Sequence, residues 1–109
     1  NQAIRVGDLV FVAGQLGISL ETGQLAGTGV SEQTEQIMAN LSAILEAAGS
    51  GLDKLVKTTV FLMDLSDFGA MNEVYAEHVG DRPPARSTVQ ISGLPSGALV
   101  EIEAVAHVE

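Results

Sequence analysis

The sequence predicts an α+β fold, ordered β-β-α-β-α-β-β, in which a mixed sheet carries two helices on one face. Three observations predict it. Short alternating or β-branched apolar runs stand at the two ends and the middle of the chain, two longer stretches between them repeat apolar residues at helical spacing, and Gly or Pro punctuates the junctions. With 109 residues, 46% hydrophobic and 17% charged, the chain has the size and composition of one globular domain spanning residues 1–109.

Ile4 and Val6 precede Gly7-Asp8 and an apolar run from Leu9 to Val12 follows, which predicts a hairpin with strands near 2–6 and 9–13. Gly14 to Gly29 holds glycines at 14, 17, 23, 27 and 29 without a sustained period and reads as a connector with room for one short strand. From Ser31, read as an N-cap, Ile37, Leu41, Ile44, Leu45 and Ala48 recur at helical spacing until Gly49. Leu55 to Met63 is β-branched and apolar on both alternations, Val56, Val60 and Leu62 on one side and Leu55, Phe61 and Met63 on the other, so it predicts a strand covered on both faces. Ser66 is read as the cap of a second helix with an inward stripe of Phe68, Met71, Tyr75 and Val79, ending at Gly80 ahead of Pro83-Pro84. Arg86–Ile91 and Leu99–Val108 complete the strands across the turn at 93–97. Right-handed crossovers send both helices to one face, and the opposite face of an apolar central strand then needs cover from another subunit.

Fourteen acidic against five basic residues give a net charge of -9, which disfavours nucleic acid and anionic membrane surfaces as partners. A small anion meeting one arginine in a cleft is not disfavoured, because salt screens the diffuse field within about 10 Å. The absence of cysteine excludes disulfides, thiolate zinc sites and cysteine nucleophiles. With no apolar run of spanning length and no signal-peptide pattern, a soluble cytoplasmic protein is expected. The chain enters a strand pattern almost at Asn1, so a short natural segment is expected to precede it.

In an extended strand after Pro84, Arg86, Thr88 and Gln90 share one face, and the apolar alternation of Ser87, Val89 and Ile91 is expected to meet the helices. In the last strand Glu101, Glu103 and His107 separate from Val100, Ile102, Ala104 and Ala106. Arg86 and a glutamate are therefore expected together on the non-helix face, either as an interfacial ion pair or as a site where the guanidinium grips a planar carboxylate. Asn72, on the inward stripe of the second helix, reads as an amide tying helix to sheet. His78 and His107 lack a second ligand at metal spacing and read as surface residues, and the glycines form no phosphate-binding loop.

Several segments together carry a family resemblance: Pro84-Ala85-Arg86-Ser87, Leu94-Pro95, Val100 to Ala106, Val10-Phe11-Val12-Ala13-Gly14-Gln15, and Val56 to Phe61 leading to Asp67-Phe68 and Asn72. Over essentially its whole length the chain resembles the RidA (YjgF/YER057c/UK114) family. The resemblance implies a chorismate-mutase-like fold of the bacterial type, a homotrimer with its sheets packed into a central barrel, and three clefts between neighbours. It implies that Arg86 holds a substrate carboxylate and Glu101 positions or activates a water, with Gly14 lining the cleft and Asn72 supporting it. The implied reaction is hydrolysis of enamines and imines of 2-amino acids to 2-keto acids and ammonia, with no metal and no organic cofactor. Ala13 stands where many members have Ser, Thr88, a further substrate contact, stands where some have Cys, and the family's pocket-closing Tyr would fall just before Asn1. Two rivals are a non-catalytic trimer binding small carboxylates or acting as a chaperone, and an endoribonuclease or translation inhibitor; the acidic balance and the lack of a basic aromatic strip count against the latter.

Overall fold

Gly7 adopts φ +58°, and this left-handed turn folds β1 (Ala3–Val6) back on β2 (Leu9–Leu16) as the hairpin requires. The structure, a computed structural model, describes residues 1–108. The remaining elements follow as α1 (Val30–Ala47), β3 (Leu55–Leu62), α2 (Phe68–Val79), β4 (Ala85–Gln90) and β5 (Val100–His107). The strands form one mixed sheet in the order β1-β2-β5-β3-β4, with β3 and β4 parallel and the other neighbours antiparallel. The expected element order and fold class are therefore observed, and β4 is an edge strand.

One face of the sheet makes the core. Val10, Val12, Val60, Leu62, Val100, Ile102, Ala104 and Ala106 are buried in one cluster with Ile37, Met38, Leu41 and Leu45 of α1 and Met71, Tyr75 and Val79 of α2. Alternation in β5 thus reads as expected, with Glu101, Glu103, Val105 and His107 turned to the other face. In β3 it does not: Leu55 pairs with Ala106 and Lys57 with Val105, so Val56 is the extra residue of a bulge. The slip puts Leu55 on the helix side and leaves Val56 45% exposed, reversing the sides predicted for both.

The helix starts also differ from expectation. Gly29, not Ser31, is the N-cap of α1, and the Glu32 carboxylate accepts from the Gly29 N–H at 3.0 Å. Asp64 rather than Ser66 caps the second start, accepting from the Ser66 N–H at 2.9 Å above a 3-10 turn at Leu65–Asp67 that runs into α2. β2 runs three residues past its expected end, bulging between Val12 and Gln15. The glycine-rich connector is tied down by buried amides: Gln33 donates to the Gly27 carbonyl and accepts from the Leu99 N–H, while Asn40 donates to the Leu16 and Ile18 carbonyls.

The face opposite the helices is uncovered within the chain. Ile4, Val6, Leu9, Phe11 and Val89 lie on it and are between 38% and 61% exposed. No helix among the described residues is long and apolar enough to cross a membrane.

Because Leu41 is fully buried between α1 and the sheet, Leu41→Ala is expected to cost about 2–5 kcal/mol in urea unfolding. Leu20→Ala, at a position 81% exposed, should change stability by less than about 0.5 kcal/mol.

Candidate functional site

Pro83-Pro84 force an extended approach to β4, and the parallel register sets Arg86 beside Thr58 of β3. Thr58 is buried on the helix face, so Arg86 is on that face too, not on the open face where alternation placed it. Its Nη1 donates to Asn72 Oδ1 of α2 at 2.6 Å. Its guanidinium carbon lies 5.2 Å from the Phe68 ring centroid and 4.8 Å from that of Tyr75. Ser87 and Val89, expected against the helices, are exposed on the open face. The reason is the edge position: beyond the core, the helix side of β4 meets one aromatic stripe of α2, which an arginine stem and planar head can cover, while the apolar alternation faces outward.

Phe68, Asn72 and Tyr75 are spaced i, i+4 and i+7, which gives all three to one stripe of α2 under Arg86. Arg86 is half-buried, yet among the described residues no carboxylate pairs with it; the one basic side chain found against a carboxylate there is His78, whose Nε2 lies 2.7 Å from Glu35 Oε2 and joins α2 to α1. A guanidinium has five N–H donors and one is committed to Asn72, so most of its hydrogen-bonding edge remains for an anion. A concavity of about 410 Å³ opens beside it, walled by Asn72, Tyr75, Ala76, Val79, Pro83 and Pro84. Thr88 is half-buried two residues along the same face.

Glu101 and Gly14 meet elsewhere. Glu101 sits on the open face of β5, and a Cβ added at Gly14 would fall 2.6 Å from the Glu101 carboxyl carbon. The carboxylate thus lies directly over β2 backbone at its bulge, and a side chain at position 14 would push it aside. The structure therefore brings Arg86 to Asn72 and Glu101 to Gly14, but keeps the two pairs apart. They occupy opposite faces, and two strand spacings, about 9–10 Å, separate β5 from β4. Within one chain the sheet itself stands between them.

Tyr75 and Thr58 were not among the expected site residues. Their hydroxyl oxygens lie 2.6 Å apart beneath Arg86. Spacing could have found Tyr75, which shares a stripe with Asn72; Thr58 enters only through the β3–β4 register, which the sequence does not reveal. Burial pushes the Tyr75 phenol above its ordinary value of 10.0, with the Thr58 hydrogen bond and the Arg86 guanidinium, through its charge and its N–H groups, pulling the other way. Among the described residues no cluster of His, Asp or Glu could hold a metal ion, and His78, expected at the surface, is half-buried against Glu35.

Fold and site together define a two-layer α+β protein with an arginine-centred cleft at its sheet edge. The chain belongs to the family described as endoribonuclease L-PSP, whose model matches residues 1–108, and which includes the RidA (YjgF/YER057c/UK114) proteins. It is 50% identical to a RutC family protein of Pyrococcus abyssi over all of this chain and 86% of that one. It is 43% identical to the mouse 2-iminobutanoate/2-iminopropanoate deaminase over 97% of this chain and 78% of that one. The crystal structure of RidA from an Antarctic Psychrobacter superposes with a TM-score of 0.94 at 45% identity, covering 98% of this chain and 86% of that one. Escherichia coli TdcF, solved with bound serine, superposes with a TM-score of 0.90 at 38% identity, covering 99% and 87%.

Tyr75 is the only tyrosine of the chain, so an alkaline absorbance titration reads it alone. Its midpoint is expected above 10, and higher still in Arg86→Ala, which removes a charge favouring the phenolate. Since the folded value is the raised one, the group's contribution to stability is fully present below pH 10 and is lost as pH rises through the folded midpoint. A midpoint at or below 10 would contradict the burial of this ring beneath the guanidinium.

Proposed function

We propose that the protein hydrolyses enamine and imine intermediates of 2-amino acids, such as 2-aminoacrylate with its tautomer 2-iminopropanoate, and 2-iminobutanoate, to 2-keto acids and ammonia. The observation that carries this reading is Arg86: a half-buried guanidinium with no carboxylate partner among the described residues, in a chain of net charge -9. What sets this guanidinium apart from the other basic side chains is its seat between two aromatic rings beside a concavity, which favours a ligand that supplies its own carboxylate. The deaminase names of relatives, and serine in TdcF, point to ligands of that class.

The separation of Arg86 from Glu101 bears on assembly. The exposed apolar residues of the open face, Ile4, Val6, Leu9, Phe11 and Val89, favour self-association through that face, and we take the assembly to be a homotrimer. In this reading Arg86 and Asn72 of one protomer meet Glu101 and Gly14 of its neighbour across a cleft, with Thr88 lining the same cleft.

The chemistry asks little of such a site. The enamine takes a proton at carbon to become the imine, water adds to the C=N carbon, and the carbinolamine expels ammonia to leave the keto acid. Arg86 would hold the carboxylate and fix the reacting carbon, while Glu101 would take a proton from the attacking water and return it to the leaving nitrogen. The steps are hydrolytic and need neither an electron acceptor nor a metal or organic cofactor. An RNA substrate, the reading in the family's description, is disfavoured by the field of a -9 chain on a polyphosphate.

The test supplies 2-aminoacrylate from a dehydratase and follows loss of the imine. Wild type should accelerate hydrolysis over buffer, and Arg86→Ala should lower kcat/KM at least about a hundredfold, with Arg86→Lys failing to restore it. Saturable keto-acid binding with no acceleration would replace the enzyme by a carboxylate-binding protein; full activity in Arg86→Ala would remove the site.

A further inference from the structure

Two hydroxyls are buried beneath Arg86 in a setting that gives them no solvent. Thr58 is 0% exposed on the helix face of β3, Tyr75 is 3% exposed on α2, and their oxygens are 2.6 Å apart. The same strand face continues with Val60 and Leu62, both apolar and fully buried. Valine at 58 and phenylalanine at 75 would fill nearly the same volume without desolvating two hydroxyls, so core packing alone does not call for the pair.

What the pair adjoins is the guanidinium. Thr58 is the register partner of Arg86, and the Tyr75 ring lies 4.8 Å below the Arg86 guanidinium carbon. Phe68 offers the second ring at 5.2 Å but is 38% exposed, a softer wall than the buried tyrosine. Asn72 holds a single N–H and so leaves the head free to swing about that bond. The guanidinium charge favours the phenol proton pointing away from it, toward Thr58 as acceptor, with the phenol lone pairs left facing the arginine.

We propose that the Thr58–Tyr75 hydroxyl pair positions Arg86: it pins the Tyr75 ring, and with it the guanidinium that lies over that ring, so that the N–H edge not taken by Asn72 faces an incoming carboxylate. The two hydroxyls are positioning groups: bonded to each other, they act on the anion through Arg86, while the Tyr75 ring also walls the concavity. The inference rests on the reading of Arg86 as a carboxylate anchor. Two parallel N–H···O bonds weaken steeply with misalignment, so loss of the pair should act on binding of the anion rather than on the chemical step.

The test measures calorimetric binding of 2-oxobutanoate, imine turnover and thermal midpoint in wild type, Thr58→Ser, Thr58→Val, Tyr75→Phe, the Thr58→Val/Tyr75→Phe double variant and Arg86→Ala. Thr58→Val strands a buried phenol and should lower the thermal midpoint, whereas the double variant removes both hydroxyls and should recover most of it. Despite that recovery, the double variant should bind 2-oxobutanoate on the order of tenfold more weakly, with KM raised and kcat within about twofold. Thr58→Ser keeps the hydroxyl and should bind like wild type. If the double variant does not fold, Tyr75→Phe carries the same expectation. Wild-type affinity in the hydroxyl-free variants, or a fall confined to kcat, overturns the positioning role. If that happens while Arg86→Ala loses binding, the anchor stands; if Arg86→Ala binds like wild type, the reading of the site itself fails.

Discussion

A guanidinium partly withdrawn from water is costly to leave unpaired, and here it is met by rings and one amide instead of a carboxylate: Phe68 and Tyr75 on its flanks and Asn72 on one N–H. Much of the local structure serves that arrangement. Pro83-Pro84 straighten the chain into β4, the parallel pairing with β3 brings Arg86 beside Thr58, and one stripe of α2 supplies the three groups beneath it. Aromatic faces hold a cation in place without cancelling its charge, which a carboxylate partner would do. The head therefore stays fixed and still able to attract an anion.

The sheet divides the candidate residues between two surfaces. Its helix side carries Arg86 and Asn72, and its open side carries Glu101 packed against Gly14 among exposed apolar residues. Self-association through the open face, as proposed, would cover the apolar residues and could close a cleft with a cation from one protomer and a carboxylate from the next. Burial of apolar surface and completion of the site would then be one event.

Element order and type were legible because apolar period and glycine or proline punctuation are local signals: both helices, the hairpin and the β5 alternation follow from them. Asn72 was legible as a tie between helix and sheet, although its partner turned out to be Arg86 itself. The face of β4 was not legible, because inside and outside were inferred from which alternation was apolar. At an edge strand that rule inverts when the uncovered face is the greasier one. The sides of Leu55 and Val56 were lost to a bulge, a one-residue slip that leaves no mark in composition. Thr58 was invisible for a related reason: its neighbourhood is set by register between strands joined through a helix.

A crystal structure of the protein soaked with 2-oxobutanoate tests the central claim most directly. The account predicts a carboxylate with both oxygens on the Arg86 N–H groups that Asn72 leaves uncommitted, and a keto carbon facing Glu101 of a neighbouring protomer beside its Gly14. A ligand bound away from Arg86, or an Arg86 closed by a carboxylate of the protein in the assembled state, would contradict it.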